Sequence, residues 1–318
     1  MKAVYFFCKN LDKDPVAFHV FRECEQLYAM KPSERNLDGL DAWEANDDDG
    51  NTFHFVLTNE TLSHEFDRHV EPLNSIFPPT EFDFAGIINW HGGNNAPDNI
   101  FCFHGIGHPA SRDFALSHTR YIFNIGNRLI EEATKTGMSH DWQVLQEATH
   151  YSGIPYGCIP DKINHWNVPQ ADLEIGSSVL AWSNPQAARI LAKSLGHVFD
   201  IAQKQLVSAL FVGGIHFEPT LRNLMFVEQD DLPSYVFSHA LTYPWIMEGT
   251  VEGEHLEQEL YSRLSAAIES ITPRPTVIVF HDKSKAVLKN ATKKVALEYK
   301  MDCINHKSLK KSVSFINH

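Results

Sequence analysis

Histidines stand at the ends of several apolar runs in this sequence, often beside glycine. His91 precedes two glycines, His104 begins the run HGIGH, His150 closes the run EATH, and His216 follows the run GGI. Glycine at such places lets the backbone turn sharply or approach a ligand closely. Imidazoles that converge with a carboxylate can bind Zn²⁺, and a zinc-bound water ionises near neutral pH and becomes a nucleophile. These residue types predict a metal-dependent hydrolase site.

Two carboxylates are placed to join these histidines. Glu174 lies in the apolar run DLEIG, where an unpaired charge would cost free energy. Glu147 precedes His150 by three residues, and alternate residues of a strand face opposite ways. The two side chains therefore converge only if the strand that carries Glu147 ends near Ala148.

Spacing alone leaves a second interpretation open, because a single histidine at a strand end is more often a hydrogen-bonded structural residue. We apply this structural interpretation to His19, His54, His64, His69, His140, His197, His255, His281, His306 and His318.

The elements that must position these side chains alternate between short apolar runs and helical patterns. This alternation is typical of an α/β fold with a mostly parallel or mixed central sheet flanked by helices. Open sheets of this kind bind ligands at the carboxyl ends of their strands. The predicted strands are Val4–Cys8, Phe53–Leu57, Phe84–Trp90, Ile100–His104, Trp142–Glu147, Asp172–Ile175, Ala209–Val212, Tyr235–Ser238 and Thr276–Phe280. The predicted helices are Pro15–Met30, His118–Thr134, Pro185–Gln203, Glu254–Ser270 and Ser284–Tyr299.

Residues 31–50 are polar and acidic and predict a surface loop, as does the proline-containing stretch 151–170. We expect one α/β domain over residues 1–318, with a small C-terminal subdomain at about 250–318 as an option.

Composition restricts the location expected for the protein and the types of metal ligand available to it. The chain is 43% apolar with a net charge of −13, and no apolar run approaches the roughly 20 residues of a membrane span. The first strand is too short for a signal peptide, so we expect a soluble cytoplasmic protein. Five cysteines without a C-x-x-C pair leave histidine, carboxylate and water as metal ligands.

The charge is unevenly distributed along the chain. An acidic body is a poor general surface for nucleic acid, so no DNA is expected as a partner. From residue 283 onward nine lysines stand against two carboxylates. They form either a local phosphate-binding patch or the solvated face of a terminal helix.

Other hydrolase and nucleotide motifs are missing from the sequence. There is neither a G-x-G-x-x-G nor a G-x-x-x-x-G-K-[ST] pattern, which disfavours nucleotide binding of those types. Ser177 and Ser178 do not lie in a G-x-S-x-G turn, and Cys158 has no local context of a cysteine hydrolase.

Three segments, taken in order, resemble motifs of the archaeal and plant type of D-aminoacyl-tRNA deacylase. They are EATH at 147–150, EIGS at 174–177 with Trp182 after it, and GGIHFEP at 213–219. His91 and His104 resemble two upstream histidines of that family, and His239 resembles the histidine of its G-H-I segment. The match spans about residues 82–245. Tyr151 stands where the family has a second histidine, and Asn89-Trp90 replaces its S-R before His91.

The resemblance implies zinc-dependent hydrolysis of the ester of D-aminoacyl-tRNA, which releases the free D-amino acid and tRNA and serves chiral proofreading. It also implies a fold similar to phosphorylases and peptidyl-tRNA hydrolase, with aminoacyl-tRNA as partner and no membrane. The implied catalytic residues are Glu147, His150, His216 and Glu174. The implied metal ligands are His91, His104, His150 and His216. The implied substrate-binding residues are Gly213, Gly214, His239 and Tyr151.

Two alternatives stay open. The substituted motifs could serve metal-dependent hydrolysis of a small-molecule ester or amide, which the acidic body favours. The fold could also be a non-catalytic relative that binds RNA or nucleotide, which Tyr151 in place of histidine favours.

Overall fold

The computed structural model describes residues 1–93, 96–229 and 231–309. Its strands are β1 (Lys2–Cys8), β2 (Lys31–Leu37), β3 (Leu40–Asn46), β4 (Thr52–Thr58), β5 (Phe84–His91), β6 (Asn99–His104), β7 (Gly107–His108), β8 (Asp113–Phe114), β9 (Ser117–His118), β10 (Gln143–Gln146), β11 (Gln170–Ser177), β12 (Leu206–Val212), β13 (Ser234–Leu241), β14 (Ile271–Thr272), β15 (Val277–Phe280) and β16 (Asp302–Asn305). Its helices are α1 (Ala17–Leu27), α2 (Phe66–Ile76), α3 (Thr119–Lys135), α4 (Val179–Trp182), α5 (Pro185–Leu195), α6 (Pro219–Met225), α7 (Tyr243–Ile246), α8 (Leu256–Glu269) and α9 (Ala286–Glu298).

A large mixed sheet forms the body, in the order β10-β6-β11-β5-β1-β4-β3-β2. Its central pairs are parallel, whereas β11 runs antiparallel to β6 and the β2-β3-β4 end is antiparallel. Residues 3–8 of β1 are all buried, because helices or loops cover both faces of a central strand. This burial explains why the strand reads as one continuous apolar run.

A second, smaller sheet has the order β13-β12-β15-β16 and is parallel throughout. Its strands carry side chains into two core clusters, one of which includes Leu210, Leu264 and Leu288. The carboxyl ends of all four strands lie at one edge, as in other parallel sheets.

The predicted α/β class with a mixed central sheet is therefore confirmed. Every predicted strand is present, with ends displaced by at most three residues. The predicted cap of α5 is also correct, since the Asn184 side chain accepts hydrogen bonds from the amides of Gln186 and Ala187. That helix ends at Leu195 rather than Gln203, and the amide of the following Gly196 donates to the Tyr28 hydroxyl at 2.9 Å.

The prediction of a loop over residues 31–50 is wrong, because β2 and β3 form an antiparallel hairpin there that extends the large sheet through β4. The first of these strands is mostly exposed, so its sequence carries no apolar face. Helix α2 was also not anticipated, and it contains Pro72. The stretch 151–170 is irregular, as expected, with two short 3-10 turns.

Three of the nine lysines at this end, Lys289, Lys293 and Lys294, lie on α9. Lys293 and Lys294 are exposed, whereas Leu288 and Val295 are buried. Lys310 and Lys311 lie outside the described residues. Within the described chain, no helix is both long enough and apolar enough to cross a membrane. The expected division into one domain with a C-terminal subdomain stays a prediction.

Candidate active site

The site is centred on Glu147, which follows the last residue of β10. There the chain leaves the sheet: the Ala148 amide donates to the His216 carbonyl (3.0 Å), and the Thr149 amide donates to the Ala240 carbonyl (2.9 Å). Because the strand ends at Gln146, the side chains of Glu147 and His150 turn toward the same side, with Oε1 and Nδ1 3.7 Å apart. The condition set by the sequence for their convergence is met.

Three imidazoles surround one carboxylate oxygen of Glu147. From Oε1 the distances are 2.6 Å to His216 Nε2, 3.5 Å to His91 Nε2 and 3.7 Å to His150 Nδ1. Oε2 is buried and has no hydrogen-bond partner among the described residues. Burial would raise the pKa of Glu147, but the hydrogen bonds from His216 and His91 and the charge of nearby His104 outweigh it and hold that pKa well below its usual range. Glu147 is therefore ionised in this environment.

The EIGS segment and Trp182 hold His91 in place. Ser177 Oγ lies 2.7 Å from Nδ1 of His91, and the Trp182 indole N–H donates to the His91 carbonyl at 2.9 Å. A Cβ on Gly176 would stand 2.6 Å from Cβ and 2.7 Å from the carbonyl oxygen of His91. Only glycine lets β11 approach β5 this closely at the site.

A deeper layer of polar groups lies behind Glu147, around His104. Its Nε2 is 3.6 Å from both Asp172 Oδ2 and Glu174 Oε1, and its Nδ1 lies 3.1 Å from the Gly105 carbonyl. Burial opposes the charged imidazolium, but Glu174 and the neighbouring carboxylates outweigh it and raise the pKa of His104 to about 10. Burial also raises the pKa of Asp172 to about 7. His104, Asp172 and Glu174 thus form a buried cluster of ionisable side chains that neutralise one another.

Several members of this layer were missed by sequence reasoning. Asp172 lies inside an apolar strand, and Ser63 Oγ donates to it at 2.8 Å from a distant part of the chain. Cys102 Sγ donates to Glu174 Oε2 at 3.5 Å, a contact set by the antiparallel register of β6 and β11. The run DLEIG contained a signal, since two carboxylates within one buried strand need partners.

His150 is packed between aromatic rings. It stacks on His104 with ring centroids 4.1 Å apart and faces Trp245 at 5.4 Å. Burial and the nearby His104 lower the pKa of His150 to about 3, so it is neutral at physiological pH. Trp245 also donates from Nε1 to Nδ1 of His216 at 3.3 Å. The sequence did not single out Trp245.

The predicted substrate-binding residues lie apart from this cluster. His239 is fully buried beneath it, with Nδ1 3.2 Å from Thr149 Oγ1, and its ring packs where a Cβ on Gly105 would be. Tyr151 is buried in a different core cluster, with its ring against Gly153.

Gly213 and Gly214 have φ values of +92° and +80°, which suit glycine. The Gly213 amide already donates to the Leu241 carbonyl. These two glycines form the turn that carries His216 from the end of β12 to Glu147.

A cleft of about 600 Å³ opens beside the cluster, with His91 and His216 in its wall. The rest of its described wall is mostly apolar and comprises Gly92, Gly93, Ala96, Pro97, Gln143, Leu145, Ile215, Phe217 and Pro219. No lysine or arginine of the described chain belongs to this wall. The His216 side chain is 37% exposed, whereas that of Glu147 is 1% exposed. His216 is therefore the member of the pair that faces the cleft.

The donors fit a zinc ion by type and spacing. His91, Glu147 and His216 offer three ligand atoms within 4.8 Å of one another at the cleft. His104 and His150 form a second such set with Glu147, and His104, Asp172 and Glu174 form a third. Nitrogen and carboxylate ligands at this spacing suit zinc, and the unpartnered Glu147 Oε2 is the kind of buried acceptor that an ion or water would satisfy. The four predicted metal-ligating histidines thus meet around one carboxylate.

The α/β fold and this histidine-carboxylate cluster on a cleft define a protein of hydrolase type. Residues 79–304 match the family model described as D-aminoacyl-tRNA deacylase, and the chain belongs to that family. The predicted family is thereby confirmed. The family's name denotes enzymes that hydrolyse the aminoacyl-tRNA ester, which agrees with the predicted hydrolase class.

Individual relatives are more distant. The D-aminoacyl-tRNA deacylase of Thermococcus onnurineus (strain NA1) is 34% identical over 80 residues, which are 25% of this chain and 26% of that protein. The match thus spans about a quarter of this curated relative. The crystal structure of AF0625, a conserved protein of unknown function, aligns with a TM-score of 0.73 and 17% identity over 98% of this chain and 97% of that one. It shares the fold along nearly the whole length. The futalosine hydrolase of Helicobacter pylori strain 26695 aligns with a TM-score of 0.40 and 10% identity, over 63% of this chain and 98% of that one.

Proposed function

We propose that this protein hydrolyses the ester bond of D-aminoacyl-tRNA with the help of zinc, which releases the D-amino acid and serves chiral proofreading. The observation that carries the proposal is the buried carboxylate of Glu147, which gathers His91, His150 and His216 around one oxygen at the wall of the cleft. Family membership supplies the substrate class.

His91, Glu147 and His216 would hold the zinc ion, because they form the donor set that borders the cleft. When bound, zinc polarises the ester carbonyl and lowers the pKa of a bound water. His216 Nε2 now faces Glu147 Oε1 at hydrogen-bond distance, so zinc binding would displace the proton between them and become weaker at low pH.

The remaining chemistry belongs to side chains of this chain. Glu147 Oε2 has no hydrogen-bond partner among the described residues, so it is free to accept the proton of the attacking water and return it to the leaving 3′ oxygen. Ser177 keeps the His91 ring oriented. Zinc on His216 Nε2 would leave that ring's proton on Nδ1, so the present bond from Trp245 Nε1 to Nδ1 would have to be given up. The mostly apolar cleft wall would receive the amino-acid side chain, and its shape would select the D-configuration.

The test is deacylation of one tRNA charged with the D- or the L-form of the same amino acid, together with metal analysis. We expect the D-ester to be cleaved at least about tenfold faster than the L-ester. His216→Ala and His150→Ala should abolish turnover, and the matched control His140→Ala, at an exposed histidine, should not. The proposal fails if neither ester is cleaved above its spontaneous rate, or if zinc loading leaves the rate unchanged.

A second candidate is hydrolysis of a small ester without RNA. It is favoured by the net charge of −13 and by the absence of lysine and arginine from the described cleft wall. The methyl ester of the same D-amino acid separates the two functions, because its cleavage as fast as that of the tRNA ester would favour the small-molecule function.

The cytoplasmic location of the protein stays a prediction.

A further inference from the structure

A second group of histidine and carboxylate lies at the carboxyl edge of the small sheet, and the proposed hydrolysis does not use it. Strands β15 and β16 are parallel and pair Phe280 with Asn305. The residue that follows each strand is a histidine, so His281 and His306 come side by side. Their rings stack with centroids 4.4 Å apart and planes within 8°.

Asp282 completes a three-donor set with these rings. Its Oδ1 lies 3.7 Å from His281 Nδ1 and 3.6 Å from His306 Nε2. Donors of a tetrahedral zinc ion with bonds of about 2.0–2.1 Å stand roughly 3.3 Å apart, so the Asp282 oxygen is within a few tenths of an ångström of that spacing from each ring nitrogen. Binding would also tilt the two rings out of their parallel stack and release His281 Nδ1 from the bond that it accepts from the Lys283 amide. Oδ1 is buried and has no hydrogen-bond partner among the described residues.

We propose that His281, Asp282 and His306 form a second binding site, separate from the Glu147 cluster, for a first-row divalent cation of the zinc type. Two imidazoles and one carboxylate are ligands that zinc accepts, with water in the remaining position.

The surroundings supply partners for both rings. Glu218 Oε2 lies 3.7 Å from His281 Nε2, so a carboxylate can accept the outer proton of a histidine that ligates through Nδ1. Thr220 fixes Glu218 in turn, with its Oγ1 2.9 Å from Oε1. Ligation through His306 Nε2 moves that ring's proton to Nδ1, where the Phe280 carbonyl can accept it in place of the present bond from the Asp282 amide.

Lys307 sets the limit on affinity. Its ammonium group pairs with the other oxygen of Asp282, Oδ2, and supplies positive charge there without an ion. The Lys307 side chain is 60% exposed, so it can turn into solvent when an ion binds. We therefore expect weaker binding than in a closed structural zinc site.

The site has a direct link to the catalytic segment. Glu218 belongs to the 213–219 segment and lies two residues after His216. An ion on His281 would tighten the hold of that ring on Glu218 and so brace the segment that delivers His216 to Glu147. The ion's role is thus to position, and it has no contact with the reacting atoms.

The first experiment measures zinc per chain and its affinity by equilibrium dialysis. The double variant His281→Ala/His306→Ala should lose one equivalent relative to the wild type, whereas His216→Ala should retain that equivalent. Zinc should also raise the melting temperature of the wild type more than that of the double variant. Equal stoichiometry and affinity in the wild type and the double variant would overturn the proposal, whatever the Glu147 cluster binds.

A second variant keeps the inference testable if the double variant does not fold. Lys307→Ala, studied in the His216→Ala background, removes the competing charge and should tighten zinc binding about threefold. Lys293→Ala, at an exposed lysine of α9, is the matched control and should change nothing. Weaker or unchanged binding in Lys307→Ala would contradict a cation site, and weaker binding would indicate an anion site instead.

Discussion

The two histidine-carboxylate clusters of this chain are built alike and placed differently. Both lie where strands end, and in both a carboxylate oxygen stands within 3.7 Å of two imidazoles. Glu147 is almost fully buried and is reached from four separate segments. Asp282 is partly exposed, is reached from two adjacent strand ends, and is paired with Lys307. In the buried cluster each charge depends on its neighbours, because water cannot replace them.

The largest expected contrast comes from the two carboxylates. Glu147→Gln keeps the shape of the side chain but removes its charge and its ability to accept a proton, so turnover should fall about a thousandfold. Asp282→Asn should cost much less, since Asp282 is outside the cleft wall. Deacylation rates of both variants are the measurement, with Glu131→Gln on the surface of α3 as control. Similar losses for the two clusters would remove the distinction between them.

Adding a methyl group to the backbone should have different effects at two glycines near His91, Gly176 inside the cluster and Gly93 in the cleft wall. Gly176→Ala would place a Cβ within 2.7 Å of His91, so it should lower the free energy of unfolding by about 2–3 kcal/mol and impair turnover. Among the described residues, a Cβ on Gly93 would meet only Cε1 of His91 at an ordinary 3.7 Å, so Gly93→Ala should leave stability nearly unchanged. Urea unfolding of both variants checks this, and an unaffected Gly176→Ala would show that β11 can move away from β5.

Two adjacent serines offer a finer test of the support for His91. Ser177→Ala removes the hydroxyl at Nδ1 of His91 and should weaken zinc binding or activity about tenfold to a hundredfold. Ser178 caps α4 by accepting from the Ala181 amide, so Ser178→Ala should cost about 1 kcal/mol of stability with little effect on activity. Metal affinity should therefore fall mainly in Ser177→Ala, and the melting temperature should fall mainly in Ser178→Ala.

The smallest expected effect concerns a buried histidine with no carboxylate in contact. His54 lies against Phe77 and Phe82, and burial, aided by the charge of Arg35, lowers its pKa to about 4. Above pH 6.5 it is neutral in both the folded and the unfolded chain. As the pH falls below 6.5 only the unfolded chain takes up this proton, so stability decreases until the folded form also protonates near pH 4.

At pH 5.5 this histidine should cost about 1 kcal/mol. His54→Phe should remove that part of the pH dependence between pH 7 and 5.5, as measured by urea unfolding at each pH. An unchanged slope in the variant would mean that His54 does not titrate as its surroundings indicate.

The sequence allowed the large sheet to be predicted where strands are buried on both faces, because such strands read as apolar runs. It did not reveal β2, whose residues are mostly exposed and therefore carry no such run. Glycine and strand ends marked Glu147 and several histidines as candidates, and the family resemblance narrowed them to the residues that meet around Glu147.

The partners of these side chains were harder to find. Ser63 and Asp172 meet only through folding, across more than a hundred residues. His281 and His306 were assigned a structural role because each stands alone in sequence. Their approach depends on the register of β15 and β16, which no local pattern records.

Because of the turn at Gly213 and Gly214, both sheets contribute residues to the Glu147 cluster. Glu147 and His91 come from the part of the chain that builds the large sheet, and His216 comes from the segment that follows β12 of the small one. A cut between α5 and β12, at residues 196–205, would leave each fragment with an incomplete set of ligands. Neither fragment should be active by itself, and mixing them should restore activity only as far as they reassociate, so the enzyme would serve as a reporter of its own reassembly.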